Sequence, residues 1–157
     1  MLHSRALKYY PIYLNLGGAR VVVVGAGRVA ERKLRRLLEC GARVSVVAPE
    51  ATALIIAWSK RQKLRWLHRK FRATDIHSEV KFVIAATDDA SLNSRIARLA
   101  MRKRILINAA TGKATGDVIL PAVAQLRGGV TIAISTAGRS PKLARRLRER
   151  IEATLLK

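Results

Sequence analysis

The sequence predicts an α/β fold: a parallel sheet flanked by helices, followed by a small β-hairpin and one further helix. Three observations carry this expectation. Val21-Val22-Val23-Val24 is an unbroken apolar run, the pattern of a central parallel strand covered on both faces. That run enters Gly25-Ala26-Gly27-Arg28-Val29-Ala30, a G-x-G-x-x-A turn with an amphipathic helix behind it. Apolar runs and helical patterns then alternate as far as Asn108, where the pattern changes to two short strands and a helix.

Strand, turn and helix in that order form a Rossmann-type nucleotide-binding signature. Gly25 permits the tight turn, Gly27 lets backbone approach a pyrophosphate, and Ala30 is small enough for the helix to pack on the strand. The first N–H groups of the helix then point at phosphate. The helix is expected over 28–40. Ala30, Leu34, Leu37 and Leu38 form its inner face, and Glu31, Arg32, Lys33, Arg35, Arg36 and Glu39 its outer one. Gly41 suits the residue just past its end.

Before this unit, residues 1–19 read as an aromatic lead-in and a turn, with Tyr9, Tyr10 and Tyr13 read first as packing residues and second as ligand contacts. After it, 43–48 is the second strand. Glu50, just beyond, has two readings: an acid for the ribose hydroxyls, or a first-turn charge of the next helix. That helix is expected over 51–60, with Leu54, Ile55 and Trp58 inward. A short strand follows over 63–67, then a basic patch of His68, Arg69, Lys70 and Arg72, read as a solvated loop.

The fourth strand, 81–86, ends in Thr87-Asp88-Asp89. Carboxyl ends of strands border the ligand crevice in such sheets, so Thr87 and Asp88 are candidate cofactor contacts. Asp89 also suits the cap of a helix carrying Leu92, Ile96 and Leu99 on one face. The fifth strand is expected over 104–108 and a loop over 109–117. Strands over 118–124 and 130–135, joined by 125–129, form an antiparallel hairpin. Ser140-Pro141 opens the last helix as cap and first residue. Leu143, Leu147, Ile151 and Leu155 recur every four residues along it. A hairpin and one helix bury little alone, so this segment is expected to pack on the first domain or on a second copy of itself. The division expected is 1–112 for the nucleotide-binding domain and 113–157 for a dimerisation hairpin and helix.

Composition sets the outer limits. The 157 residues suit one domain with an appendage, and half of them are hydrophobic. Thirty-one Lys and Arg against ten Asp and Glu give a net charge of +21, an attraction for polyanions of unspecified kind. The apolar runs are too short for a membrane helix, and Met1–Lys8 has no apolar core of a secretory signal. The lone Cys40 excludes an internal disulfide framework, and a cytoplasmic location is expected. His3, His68 and His77 show no ligand spacing, so no metal site is expected.

Several stretches together resemble one family. They are Tyr10–Leu14, Val24–Lys33, Val47–Glu50, Ala85–Asp89 followed by Asn93, Ile107-Asn108, Leu120–Ala122, and Ile134–Arg145. In this order they resemble the siroheme synthase N-terminal module, the precorrin-2 dehydrogenase/sirohydrochlorin ferrochelatase family. The resemblance implies an NAD-binding domain, a homodimerisation segment, and oxidation of the tetrapyrrole precorrin-2 to sirohydrochlorin in sirohaem biosynthesis. It leaves ferrochelatase activity open. Arg28, Val29, Pro49 and Glu50 fall where the family contacts NAD, and Asn108, Ser135, Thr136 and Ser140 are the implied substrate contacts.

The chain departs from the family twice. Where the family carries an aspartate three residues after the asparagine of strand 5, this chain has Thr111. A threonine hydroxyl is no general base near neutral pH. Asp117, six residues on, is the nearest acid; it reads first as a loop carboxylate and second as a proton acceptor. Many members also continue with a helical domain, whereas this sequence stops at Lys157. The leading expectation is an NAD-dependent precorrin-2 dehydrogenase. The alternative is a catalytically impaired NAD- or tetrapyrrole-binding module with a regulatory or carrier role. A nucleic-acid binder ranks third: it rests on charge alone, with only two Phe, two Trp and three Tyr and no recognition motif.

Overall fold

The computed structural model describes residues 9–109 and 116–155, which form two compact units. The larger spans Leu14–Val118. Its five strands are β1 (Arg20–Val24), β2 (Arg43–Ala48), β3 (Arg65–His68), β4 (Val80–Ala85) and β5 (Leu106–Ala109). They form one sheet in the order β3-β2-β1-β4-β5, with every pairing parallel. Three α-helices connect them: α1 (Arg28–Glu39), α2 (Ala53–Lys60) and α3 (Ala90–Arg102).

The four valines of β1 are all buried, as a central strand requires. Because side chains alternate along a strand, Val21 and Val23 enter one core and Val22 and Val24 another. The first core takes Ala30, Leu34 and Leu37 of α1 and Ile55 of α2. The second takes Ile96, Ala97 and Ala100 of α3 together with Ile105 and Ile107.

Several boundaries differ from expectation, each for a local reason. α2 begins two residues late, because Thr52 caps it by accepting the Ile55 N–H (3.4 Å). β3 begins late because Gln62, with φ 55°, turns the chain out of α2, its N–H bonded to the Ser59 carbonyl (3.0 Å). Arg104, with φ 56°, does the same after α3, so β5 starts at Leu106 rather than 104. The expected basic loop is partly a clamp: Arg69 forks onto Asp75, and the Arg72 N–H donates to the same carboxylate (2.8 Å).

The smaller unit joins the N-terminal residues through Tyr13 to residues from Ile119 onward. It contains β6 (Ala122–Gln125), β7 (Thr131–Ile134) and α4 (Pro141–Leu155). β6 and β7 pair antiparallel, Ala122 opposite Ile134. The strand expected over 118–124 is divided. Pro121 has no N–H to give a ladder, and Val118 donates instead to the Ile107 carbonyl (3.1 Å) beside β5. The Tyr13 hydroxyl donates to the Thr131 carbonyl (2.9 Å), which ties the aromatic lead-in to β7. The domain border expected after residue 112 falls outside the described residues, while the larger unit runs on to Val118.

Candidate functional site

The turn after β1 is built around two glycines with different jobs. Gly25 has φ +98°, and a Cβ there would collide with the Ala86 carbonyl. Its N–H donates to the Val47 carbonyl (3.0 Å), and the Ala86 N–H donates to the Val24 carbonyl (2.8 Å). The carboxyl ends of β1, β2 and β4 are thereby drawn together. Gly27 precedes α1 with extended backbone and no side-chain cap. Nothing stands within 4 Å of where its Cβ would be. The first intrahelical bond runs from the Glu31 N–H to the Gly27 carbonyl (2.9 Å). The N–H groups of Arg28, Val29 and Ala30 therefore precede the helical ladder. Arg28 and Val29 are exposed, while Ala30 is buried against the core. Open space over unspent N–H groups at the positive end of a twelve-residue helix fits a pyrophosphate.

Pro49 and Glu50 lie exposed just beyond the carboxyl end of β2. With α2 starting at Ala53, Glu50 stands outside that helix, so its first-turn reading is corrected. The segment is fastened to the glycine turn. The Thr52 N–H donates to the Ala26 carbonyl (3.1 Å), and the Thr52 hydroxyl donates to Glu31 Oε2 (2.9 Å). The Trp66 indole donates to the Ala48 carbonyl (3.0 Å).

At the end of β4, the loop holding Thr87 and Asp88 is anchored by Asn93, which is 1% exposed. The Thr87 N–H and hydroxyl both donate to Asn93 Oδ1 (3.1 and 2.8 Å), and Asn93 Nδ2 donates to the Thr87 carbonyl (2.8 Å). Asp89 caps α3 by accepting the Leu92 N–H (2.9 Å). Asp88 is exposed.

At the end of β5, Lys33 Nζ donates to Asn108 Oδ1 (2.6 Å), and Asn108 Nδ2 donates to the Val118 carbonyl (2.8 Å). Lys33 and Glu31 thus leave the solvent face expected for them: both are half-buried, Lys33 bonded to Asn108 of β5 and Glu31 to Thr52. Burial, helped by the nearby Arg32 charge, lowers the Lys33 pKa to about 8. Asp117 is exposed in a bend beside this corner. Thr111 lies outside the described residues.

In the smaller unit, Ser135, Thr136 and Ser140 brace their own turn. Ser135 Oγ accepts the Ala137 N–H (3.1 Å), Thr136 Oγ1 accepts the Ser140 N–H (3.0 Å), and Ser140 Oγ accepts the Leu143 N–H (3.2 Å). Ser140 is thus the cap that its position before Pro141 predicts. Among the described residues, no three His, Cys, Asp or Glu side chains are grouped to hold a metal ion, and no helix is long and apolar enough to cross a membrane.

Sequence reasoning missed Thr52, Asn93 as an anchor, and the link between Lys33 and Asn108. Thr52 carried a readable signal, a capping residue directly before an apolar helix. Asn93 and Lys33 carried none, because their partners are set by loop closure and by a contact spanning 75 residues.

Known proteins share this arrangement. A family model described as "Putative NAD(P)-binding" matches residues 12–122, and one described as the sirohaem biosynthesis protein central region matches 127–154. A siroheme synthase of Nitrosococcus oceani is 40% identical over 149 residues, covering 95% of this chain and 31% of that protein. One of Neisseria meningitidis serogroup B is 42% identical over 149 residues, covering 95% and 30%. The chain thus spans about a third of the length of these curated relatives. Among solved structures, SirC, a precorrin-2 dehydrogenase, superposes with a TM-score of 0.75 at 33% identity, covering 92% of this chain and 70% of that one. With its glycine turn, sheet order and hairpin in place, the chain belongs to the NAD(P)-binding family of sirohaem biosynthesis, the family that includes precorrin-2 dehydrogenase SirC.

Proposed function

We propose that this chain oxidises precorrin-2 to sirohydrochlorin with NAD, a step of sirohaem biosynthesis. The observation that carries the reading is the open space over Gly27 at the start of α1, in a chain of this family. NAD supplies the hydride acceptor. The residues of the chain bind and orient. Gly25 sets the turn; Gly27, Arg28, Val29 and Ala30 present N–H groups to the pyrophosphate; Pro49 and Glu50 border the ribose; Thr87 and Asp88 line the crevice beside it. Substrate loses a hydride to the cofactor and a proton to a base. Thr111 supplies no base, so the proton passes to Asp117, to water or to a substrate carboxylate. Ser135, Thr136, Ser140 and Asn108 are carried as substrate contacts by the family resemblance alone. A cytoplasmic location belongs to the same reading.

A homodimer is part of the proposal. Leu143, Leu147 and Leu155 of α4 are exposed, with Tyr10, Ile12 and Tyr13 exposed in the same unit. An apolar surface of that kind asks for a partner, and a second copy supplies it symmetrically.

The test is direct: precorrin-2 and NAD are mixed with the protein, and NADH is followed by absorbance. NADH formed in step with sirohydrochlorin supports the reading. NAD binding without turnover favours the second reading, an impaired binding module, for which Thr111 in the aspartate's place is the specific motive.

A further inference from the structure

We propose that Lys33 is a substrate-binding residue whose ammonium takes a carboxylate of the tetrapyrrole at the carboxyl end of β5. The inference rests on the dehydrogenase reading and adds to it a residue that the family resemblance did not mark as a substrate contact.

The first argument is electrostatic. Lys33 is half-buried, and its recorded partner among the described residues is the neutral Asn108 amide. No carboxylate of the described residues forms an ion pair with it, although Glu31 stands two residues before it on α1. Glu31 is instead engaged by the Thr52 hydroxyl. A dipole offsets part of the cost of taking an ammonium out of water, while an anion offsets far more. Burial first, and the Arg32 charge second, lower the Lys33 pKa to about 8, so the ammonium is costly where it stands.

The second argument is position. Asn108 pairs in register with Ile84, and Ala109 with Ala85, which is level with Val24 at the start of the glycine turn. Lys33 Nζ therefore stands one residue inside the strand ends that border the crevice. A lysine side chain on α1 leans back toward the N-terminus of its helix, the phosphate-facing end.

The third argument is the commitment of Asn108. Its oxygen accepts a hydrogen bond from the Lys33 ammonium and its nitrogen donates one to the Val118 carbonyl. The amide acts as a strut between α1, β5 and the chain at Val118, and the ammonium keeps further N–H groups for a ligand. Precorrin-2 brings eight carboxylates to such a group. The corner thus assigns anion recognition to Lys33 and gives Asn108, besides the substrate contact carried by the family resemblance, the task of positioning that ammonium.

The experiment uses the full chain and compares wild type, Lys33→Met and Lys33→Arg. Each is measured for KM and kcat with precorrin-2, for the dissociation constant of sirohydrochlorin, and for that of NAD. Lys33→Met is expected to raise KM and weaken sirohydrochlorin roughly 10–100-fold, the range of a lost charge-assisted hydrogen bond. NAD affinity stays within about twofold, and Lys33→Arg restores most of the loss because it keeps the charge. Unchanged sirohydrochlorin affinity in Lys33→Met overturns the inference, as does a loss confined to NAD. Equal losses in Met and Arg variants also overturn it, since they mark a packing role. Failure of the dehydrogenase reading shows separately, as a wild type that forms no NADH.

Discussion

The two units differ in how completely each satisfies itself. In the sheet unit, Val21–Val24, Leu34, Ile55, Ile84, Ile96 and Ile107 are buried, and helices close over both faces. Among the described residues of the smaller unit, the buried apolar ones are Ala124 and Ala144, two of the smallest side chains. Several of its large ones are exposed, Tyr10 at 88% and Leu155 at 55%, while Ile119, Val123, Ile132 and Ile134 are half-buried. Burial of apolar area stabilises by about 25 cal/mol per Å², so the larger unit draws more on its own core than the smaller one does. The difference teaches where to expect function. The proposed cofactor turn lies in the unit with the larger core, and the proposed dimer surface in the unit with exposed apolar side chains.

The strongest test of the first half of that contrast is a single methyl group. Gly25→Ala is expected to unfold or severely weaken the sheet unit, because the new Cβ meets the Ala86 carbonyl at a φ of +98°. Backbone strain of this kind costs about 1–3 kcal/mol, and the collision adds to it. Thermal unfolding should show the loss; an unchanged midpoint would mean the turn is looser than its geometry.

Position 111 tests whether the rigid unit is also a complete catalyst. Thr111→Asp should raise turnover about 10–10³-fold, short of the full range for a general base. NAD affinity should hardly move. A wild type already as fast as the variant would show that the aspartate is dispensable here, and two inactive proteins would favour a binding module. Gly27→Val is the reverse of Gly25→Ala. Open space around Gly27 accepts the side chain, so the fold persists. The side chain then occupies the pyrophosphate's place and costs two charge-assisted hydrogen bonds, about 3 kcal/mol or about 100-fold in NAD affinity. Calorimetric titration reads it; normal NAD binding would place the cofactor elsewhere.

The second half of the contrast is tested on α4. Leu147→Arg puts a charge in the exposed stripe between Leu143 and Ile151. Light scattering at micromolar concentration should move from dimer to monomer, while NAD binding by the sheet unit stays within about threefold. A wild type that is monomeric would remove the need for the surface altogether.

How far the sequence could be read follows the same division. The order of elements was legible because β1, α1 and the glycine turn each follow a local rule: burial on both faces, a 3.6 period, and glycine where backbone must approach. Helix ends were less legible, since Gln62 and Arg104 adopt positive φ without being glycine. The strand expected to begin at 118 failed because Val118 found a partner in Ile107 rather than in the hairpin. In the candidate site, the residues proposed to meet a ligand through backbone were visible, because glycine spacing encodes the turn. The residues that hold loops to one another were not. Asn93 looks like any polar helix residue, and Lys33 looks like a solvated one, until distant strands bring Thr87 and Asn108 to them.

The smallest effect expected is also the most specific, and it lies at Glu50. The residue is exposed beyond β2 and free of α2, so its side chain serves no helix. If it borders the ribose, its charge opposes a 2′-phosphate across a few ångströms. In water-like surroundings two unit charges about 4 Å apart interact by about 1 kcal/mol, which corresponds to about fivefold in affinity. Wild type should therefore bind NAD more tightly than NADP, with Arg28 nearby reducing the margin. Glu50→Gln should remove about that factor from the NADP side alone, leaving NAD affinity and the oligomeric state as they were. Salt sharpens the reading. Raising ionic strength shortens the screening length to below about 8 Å and should shrink the wild-type preference. Tighter binding of NADP by the wild type would sink this assignment, and an equal change for both nucleotides would show that Glu50 shapes the turn rather than reading the ribose.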